Sequence, residues 1–231
     1  MVWVVLSASL ALWMYCSWSA NQMGAKRNSS LTTFTPLSDE ELPQPLKNSL
    51  EQRDAEYSTA GFQFTNNLQT SRRGTICISR NYIHRDGLTI ACDCVYQRSL
   101  GFWATKLTTG IKSVMADGTV VEISSHKSMP DFLTNLKSET KLRLSTGGTH
   151  RVNELYSQHL EDVRNAGAQL HSQPLEITEE TLNNITEYTL QLCDWQMYRV
   201  GILQSPPAPV RLMKAQVNLS MAMMDRHENQ S

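Results

Sequence analysis

The chain has 231 residues, and its 21 Lys plus Arg stand against 22 Asp plus Glu for a formal net charge of −1. That balance excludes a global field favouring nucleic acid or an acidic bilayer surface, and "SRRG" at 71–74 is too short for a basic patch. The five cysteines, Cys16, Cys77, Cys92, Cys94 and Cys193, are odd in number and unevenly spread, unlike the disulfide framework of a small secreted domain.

Val2–Trp18 holds no charged residue. Extended through Ser19 and Ala20, it reaches the short end of the roughly 17 to 25 residues that span a bilayer. Trp3 and Trp18 fall near the two expected interfaces, with Trp13 between them. Residues 1–20 therefore read as an N-terminal membrane helix whose partner is the lipid bilayer. Lys26 and Arg27 on its C-terminal flank place the following domain in the cytoplasm by the positive-inside rule. One alternative is a cleaved export signal with Ser17-Trp18-Ser19 before the cut, although a basic n-region is lacking. Another is a buried helix, or a start codon set downstream of missing residues. A lipoprotein site at Cys16 is opposed by the bulk of Met14 and Tyr15. The Asn-x-Ser/Thr triplets at Asn28, Asn184, Asn218 and Asn229 are no more than this Ser/Thr-rich composition produces by chance.

Residues 21–39, rich in Ser, Thr and Asn without periodicity, read as a flexible tether. An α+β domain is then expected over 40–170, followed by a helical extension with a small hairpin over 171–231. Its first element is a helix of about four turns, capped at Ser38, stopped at Gly61, and carrying Leu46, Leu50 and Tyr57 on one face. An antiparallel meander of about six short strands follows, drawn from 62–68, 75–79, 88–96, 101–107, 111–115 and 119–124, with 141–145 able to close the sheet. Asp117-Gly118 is its strongest hairpin signal. A helix with Val152, Leu155, Tyr156, Leu160 and Val163 on one stripe is expected to end at Gly167, and a second spans about 179–200 behind Thr178. Beyond "SPPAP" at 205–209, a small hairpin and a short helix complete two or three C-terminal helices.

"HRD" at 84–86 invites a kinase reading, but position 91 is Ala where that loop needs Asn, so the tripeptide reads as a turn with Asp86-Gly87 at its corner. Cys92 and Cys94, near Cys77 and His84, offer soft ligands; on one strand face the two thiols are instead ordinary core positions. No cofactor and no metal is called for. "STGGTH" at 145–150 is the weak ligand candidate: Gly147, Gly148 and Thr149 stand before a helix where backbone amides can hold an anion, although Thr149 also serves as an N-cap. The weak catalytic candidates are His150 and His159, the latter beside Glu161 and Asp162 as a helix of mixed charge allows.

"ELPQPLKNSLEQ", "ADGTVVEIS", "ELYSQHLEDV" and "VRLMKA" resemble segments of uncharacterised membrane-associated bacterial proteins. The resemblance implies the architecture of anchor, tether and α+β domain, and no residue roles. Two functions are carried forward. One is a non-enzymatic, membrane-anchored domain that docks a protein partner or holds a small ligand, in a cup lined by residues such as Tyr96, Trp103 and Leu107. The other is an enzyme with a dispersed site near 145–159. A winged-helix-like piece at 179–225 lacks a basic recognition face, so no nucleic-acid partner is expected.

Overall fold

A computed structural model describes residues 32–72, 75–97, 107–125 and 141–199, with side chains over 32–71, 76–96, 107–125 and 141–194. The elements run β1 (Thr33–Leu37), a 3-10 turn (Asp39–Glu41), α1 (Gln44–Lys47), α2 (Leu50–Thr59), β2 (Phe62–Arg72), β3 (Thr75–His84) and β4 (Ile90–Gln97). After these come β5 (Thr108–Val114), β6 (Val120–Ser124), β7 (Leu142–Thr146), α3 (Val152–Leu170) and α4 (Glu179–Arg199). The fold is α+β.

The sheet has seven strands in sequence order, against the six expected. The extra strand is β1, inside the stretch read as a tether. It pairs antiparallel with β2 from Thr33↔Ser71 to Leu37↔Asn67. As a half-exposed edge strand of composition "TFTPL" it shows no alternating apolar signature, which is why it read as loose chain. Strands β1 to β6 form an antiparallel meander, as the sequence predicts for β2 to β6. The last pairing departs from it, because β7 runs parallel to β6, from Val120↔Leu142 to Ser124↔Thr146. Parallel neighbours need a long crossover, and 17 residues separate Ser124 from Leu142 in the sequence.

The expected four-turn helix is split. Pro43 and Pro45 confine the chain to a 3-10 turn and the four residues of α1 before α2 begins at Leu50. At the other end, α3 passes through Gly167 to Leu170 and ends at His171, the only non-glycine among the described residues with positive φ. The expected strand at 101–107 lies almost wholly outside the described residues, as do Trp103, the C-terminal hairpin and short helix, and the whole apolar start with Val2, Trp3, Trp13 and Trp18. Among the described residues, no helix is long and apolar enough to cross a membrane.

Alternation along the strands separates two faces. One carries Ile78, Arg80, Tyr82, Ala91, Asp93, Val95, Thr109, Ile111, Ser113 and Ile123, by the registers of β3 to β6. Leu42 and Leu46 cover Ile78 and Val95 there, while Tyr57, Val152 and Leu155 pack with Tyr82, Ala91, Ile111 and Ile123. The opposite face buries Ile90, Val114, Val120 and Leu142 beneath Leu182, Ile185, Tyr188 and Leu192 of α4. The sheet is thus the middle of three layers, and α4 shares a core with it.

Candidate functional site

The most concentrated polar chemistry lies between α2 and the sheet. Adjacent residues of α2, Arg53 and Asp54, meet a complementary pair on the sheet, Asp93 and Arg80, which are themselves register partners on β4 and β3. Arg53 donates from Nε to Asp93 Oδ2 at 2.7 Å and from Nη2 to Asp93 Oδ1 at 2.9 Å. Arg80 grips both Asp54 oxygens in the same way, at 2.9 and 2.8 Å. Such fork-to-carboxylate geometry fixes orientation as well as charge.

Two tyrosines complete the arrangement. Tyr57 donates to Asp93 at 2.9 Å and Tyr82 to Asp54 at 2.7 Å, and their rings stack at 3.8 Å between centroids. Thr109 adds a hydrogen bond to Asp93 at 2.7 Å. Burial works against the Arg53 charge, but the hydrogen bonds and charge of Asp93 hold its pKa above the usual arginine value. Burial first, and then the Asp93 charge, push the Tyr57 hydroxyl well above its ordinary range. Arg80 also reaches Asp39 and Asn67, and its guanidinium lies 3.8 Å above the half-exposed Phe64 ring. The helix is therefore keyed to the sheet by matched charges on both sides.

The same arginine reaches the predicted ligand loop. Arg53 Nη1 donates to the His150 carbonyl at 2.9 Å, and the Gly147 amide donates to Ser124 at 3.0 Å. A side chain on Gly147 would meet Leu155 at 2.3 Å, so that glycine answers to close packing on α3. Thr149 is not the N-cap: Arg151 occupies that position, and Thr149 Oγ1 accepts the Arg151 amide and donates to Glu154. Gly148 is exposed with φ +67. The loop is thus fastened at three of its positions by bonds that serve the fold.

The two histidine candidates part company. His150 is exposed ahead of α3. His159 has 0% of its surface exposed, and its Nε2 lies 2.9 Å from Ser113 Oγ, which in turn is 3.2 Å from Thr89 Oγ1. Its Nδ1 is buried without a hydrogen bond. Burial lowers the His159 pKa to about 4, so the ring is neutral. The carboxylate beside it, Asp162, is engaged by Ser145 at 2.6 Å.

The thiols share the α4 side of the sheet with Lys112 and Glu122. Cys94 donates to the Thr108 carbonyl at 3.5 Å, and the neighbouring Cys92 is held thiol-form first by its contact with Cys94 and then by burial. No group of three or more His, Cys, Asp and Glu is arranged to hold a metal ion among the described residues.

The sequence reading passed over one assembly, at the "HRD" turn. The turn forms with Gly87 at φ +69, and Asp86 folds back so that its Oδ2 lies 2.9 Å from His84 Nδ1. Tyr156 of α3 donates to the same carboxylate at 3.3 Å, and burial together with the Asp86 charge pushes its pKa up to about 12. Phe62 and Tyr156 pack on the His84 ring at 4.9 and 4.7 Å. The signal was visible in the tripeptide, but the partner seventy residues away was not.

No family model matches the chain, and neither does any curated protein or solved structure. Nothing in these comparisons assigns the chain to a family or ties it to a bacterial source.

Proposed function

We propose that this chain is a single-pass membrane-anchored protein whose folded part binds a protein partner or a small ligand and does not catalyse a reaction. The observation that supports the non-catalytic reading is the reciprocal pairing of Arg53 with Asp93 and of Asp54 with Arg80. A catalytic group has to present an open, titratable atom to substrate. Here the buried ionisable groups of α2 and the sheet are spent on one another. An enzyme built around residues 145–159 has weaker support, because His159 is sealed in the core and the Arg53 contact on His150 serves to pin the loop.

The anchor rests on the charge-free run and the Lys26-Arg27 flank, which favour a cytoplasmic domain. Because β1 is already paired at Thr33, only about a dozen residues separate Ala20 from the fold, a reach of at most ~40 Å. The domain would work close to the bilayer.

The test is fractionation of the full chain beside a version lacking residues 1–20, with the intact mass of the membrane-bound form. The expected result is a full-mass chain in the membrane pellet after alkaline wash and a soluble truncated chain. If both are soluble, the anchor reading fails; a mass short of the apolar segment indicates a cleaved signal.

A further inference from the structure

We propose that His84 and Arg85, set over Gly61, form a binding site for a phosphate-type oxyanion carried by a water-soluble ligand. This deepens the binding reading above and rests on it.

His84 ends β3, and its ring is fixed from three sides by Asp86 at Nδ1 and by the Phe62 and Tyr156 rings. Asp86 Oδ2 at 2.9 Å, the Tyr156 hydroxyl at 3.2 Å and the Asp86 amide at 3.3 Å surround Nδ1 and hold the ring in one orientation. Nε2 then projects across the Gly61 backbone: a side-chain carbon on Gly61 would lie 2.8 Å from it. The same point lies 3.3 Å from Arg85 Nε, so both nitrogens flank one spot on the glycine. Gly61 has φ +88, and its carbonyl accepts the Arg85 amide at 3.0 Å, which stitches the two turns together. Any side chain there would be strained and would displace the imidazole.

The donors at this spot differ from those between α2 and the sheet. Arg53 and Arg80 have theirs taken by carboxylates. The Arg85 guanidinium is exposed and, among the described residues, makes no hydrogen bond or ion pair, and His84 Nε2 makes none. The titratable groups near His84 include Asp86 and Arg85 on its own turn, Tyr156 from α3, and Glu176, which packs on Gly87 of the same turn. A ring nitrogen beside a guanidinium fork is a donor set suited to an oxyanion.

Position favours a soluble ligand over a lipid headgroup. The chain enters the sheet at Thr33, opposite Ser71, whose partner Ile76 stands near the start of β3. His84 closes the far end of that strand, roughly 30 Å away by the strand rise. The chain that leads from residues 1–20 thus joins the sheet at the end opposite His84.

The test uses the full chain in phosphatidylcholine vesicles, titrated with inorganic phosphate by calorimetry. Saturable binding is expected, weakened about tenfold or more by Arg85→Gln and by His84→Gln, as loss of a charge-assisted contact predicts. Arg85 is exposed, so its variant remains informative if the His84 variant fails to fold. Arg164→Gln, an exposed charge on α3, should leave binding unchanged. The absence of saturable binding, or an equal loss in the Arg85 and Arg164 variants, overturns the site. Competition from added phosphatidylglycerol overturns the soluble-ligand assignment. A chain that binds phosphate through Arg85 but leaves the membrane fraction sinks the anchor alone, and a membrane-bound chain indifferent to phosphate sinks the oxyanion site alone.

Discussion

Helices α2 and α4 dock on opposite faces of the same sheet by different physics. On α4, Leu182, Ile185, Tyr188 and Leu192 lie against Ile90, Val114, Val120 and Leu142, and the favourable term is apolar surface removed from water. On α2 the buried residues are Arg53 and Tyr57, and the contact is a set of matched charges. A buried ion pair gains little net stability once desolvation is counted, yet removing one partner is costly. The apolar face supplies energy that tolerates sliding; the charged face admits one register, because a shift of one residue would set Arg53 against Arg80 and leave Asp93 alone.

That contrast can be broken most severely at Asp93. Asp93→Ala strands a buried guanidinium together with the Tyr57 and Thr109 hydroxyls, and should cost about 4 kcal/mol in urea denaturation. A cost below 1 kcal/mol would show that water reaches Arg53 and that the pairing is not closed. On the apolar side, Leu182→Ala should cost about 3 kcal/mol through lost burial and a residual cavity, measured the same way. Combining the two changes should give additive losses, since the sites share no partner.

Acid probes the sheet from α3. The unfolded-state pKa of His159 is near 6.5 and the folded value is lowered to about 4, so the unfolded chain binds the extra proton between these values. The His159 contribution is therefore complete above pH 6.5 and is lost as pH falls towards 4, amounting to about 2 kcal/mol at pH 5. Comparing urea midpoints at pH 7.5 and pH 5 for the parent chain and His159→Gln isolates it. An equal acid loss in both would assign the effect to other groups.

The smallest effect is expected at the outer half of the charge lattice. Asp54→Ala should cost about 1 kcal/mol, because its side chain is 39% exposed and Arg80 retains Asp39 and Asn67. Equality with Asp93→Ala would mean that solvent does not screen this pair.

Periodicity made the stripes of α3 and α4 legible, and β-rich runs between turns made β2 to β6 legible, because both kinds of signal are local. It failed for β1, a half-exposed edge strand without alternating apolar residues, and at α2 it showed the helix and Tyr57 but not the buried Arg53. Of the candidate site residues, the structure ties Gly147, Thr149 and His150 into the fold and buries His159. The cluster at His84 and Arg85 needed the adjacent Gly61 and Phe62 and the distant Tyr156, from two other places in the chain.

By itself, then, the sequence determined the α+β class, the antiparallel run of strands, the turns at Asp86-Gly87 and Asp117-Gly118, the helix carrying Val152, Leu155 and Tyr156, and the helix behind Thr178. Each follows from side-chain period or backbone preference within a few residues. Tertiary structure alone decided the parallel seating of β7, the matching of Arg53 and Asp54 with Asp93 and Arg80, and which histidine is buried and which faces solvent. Those depend on residues 21 to 72 positions apart meeting at hydrogen-bond distance, and no local pattern carries that information.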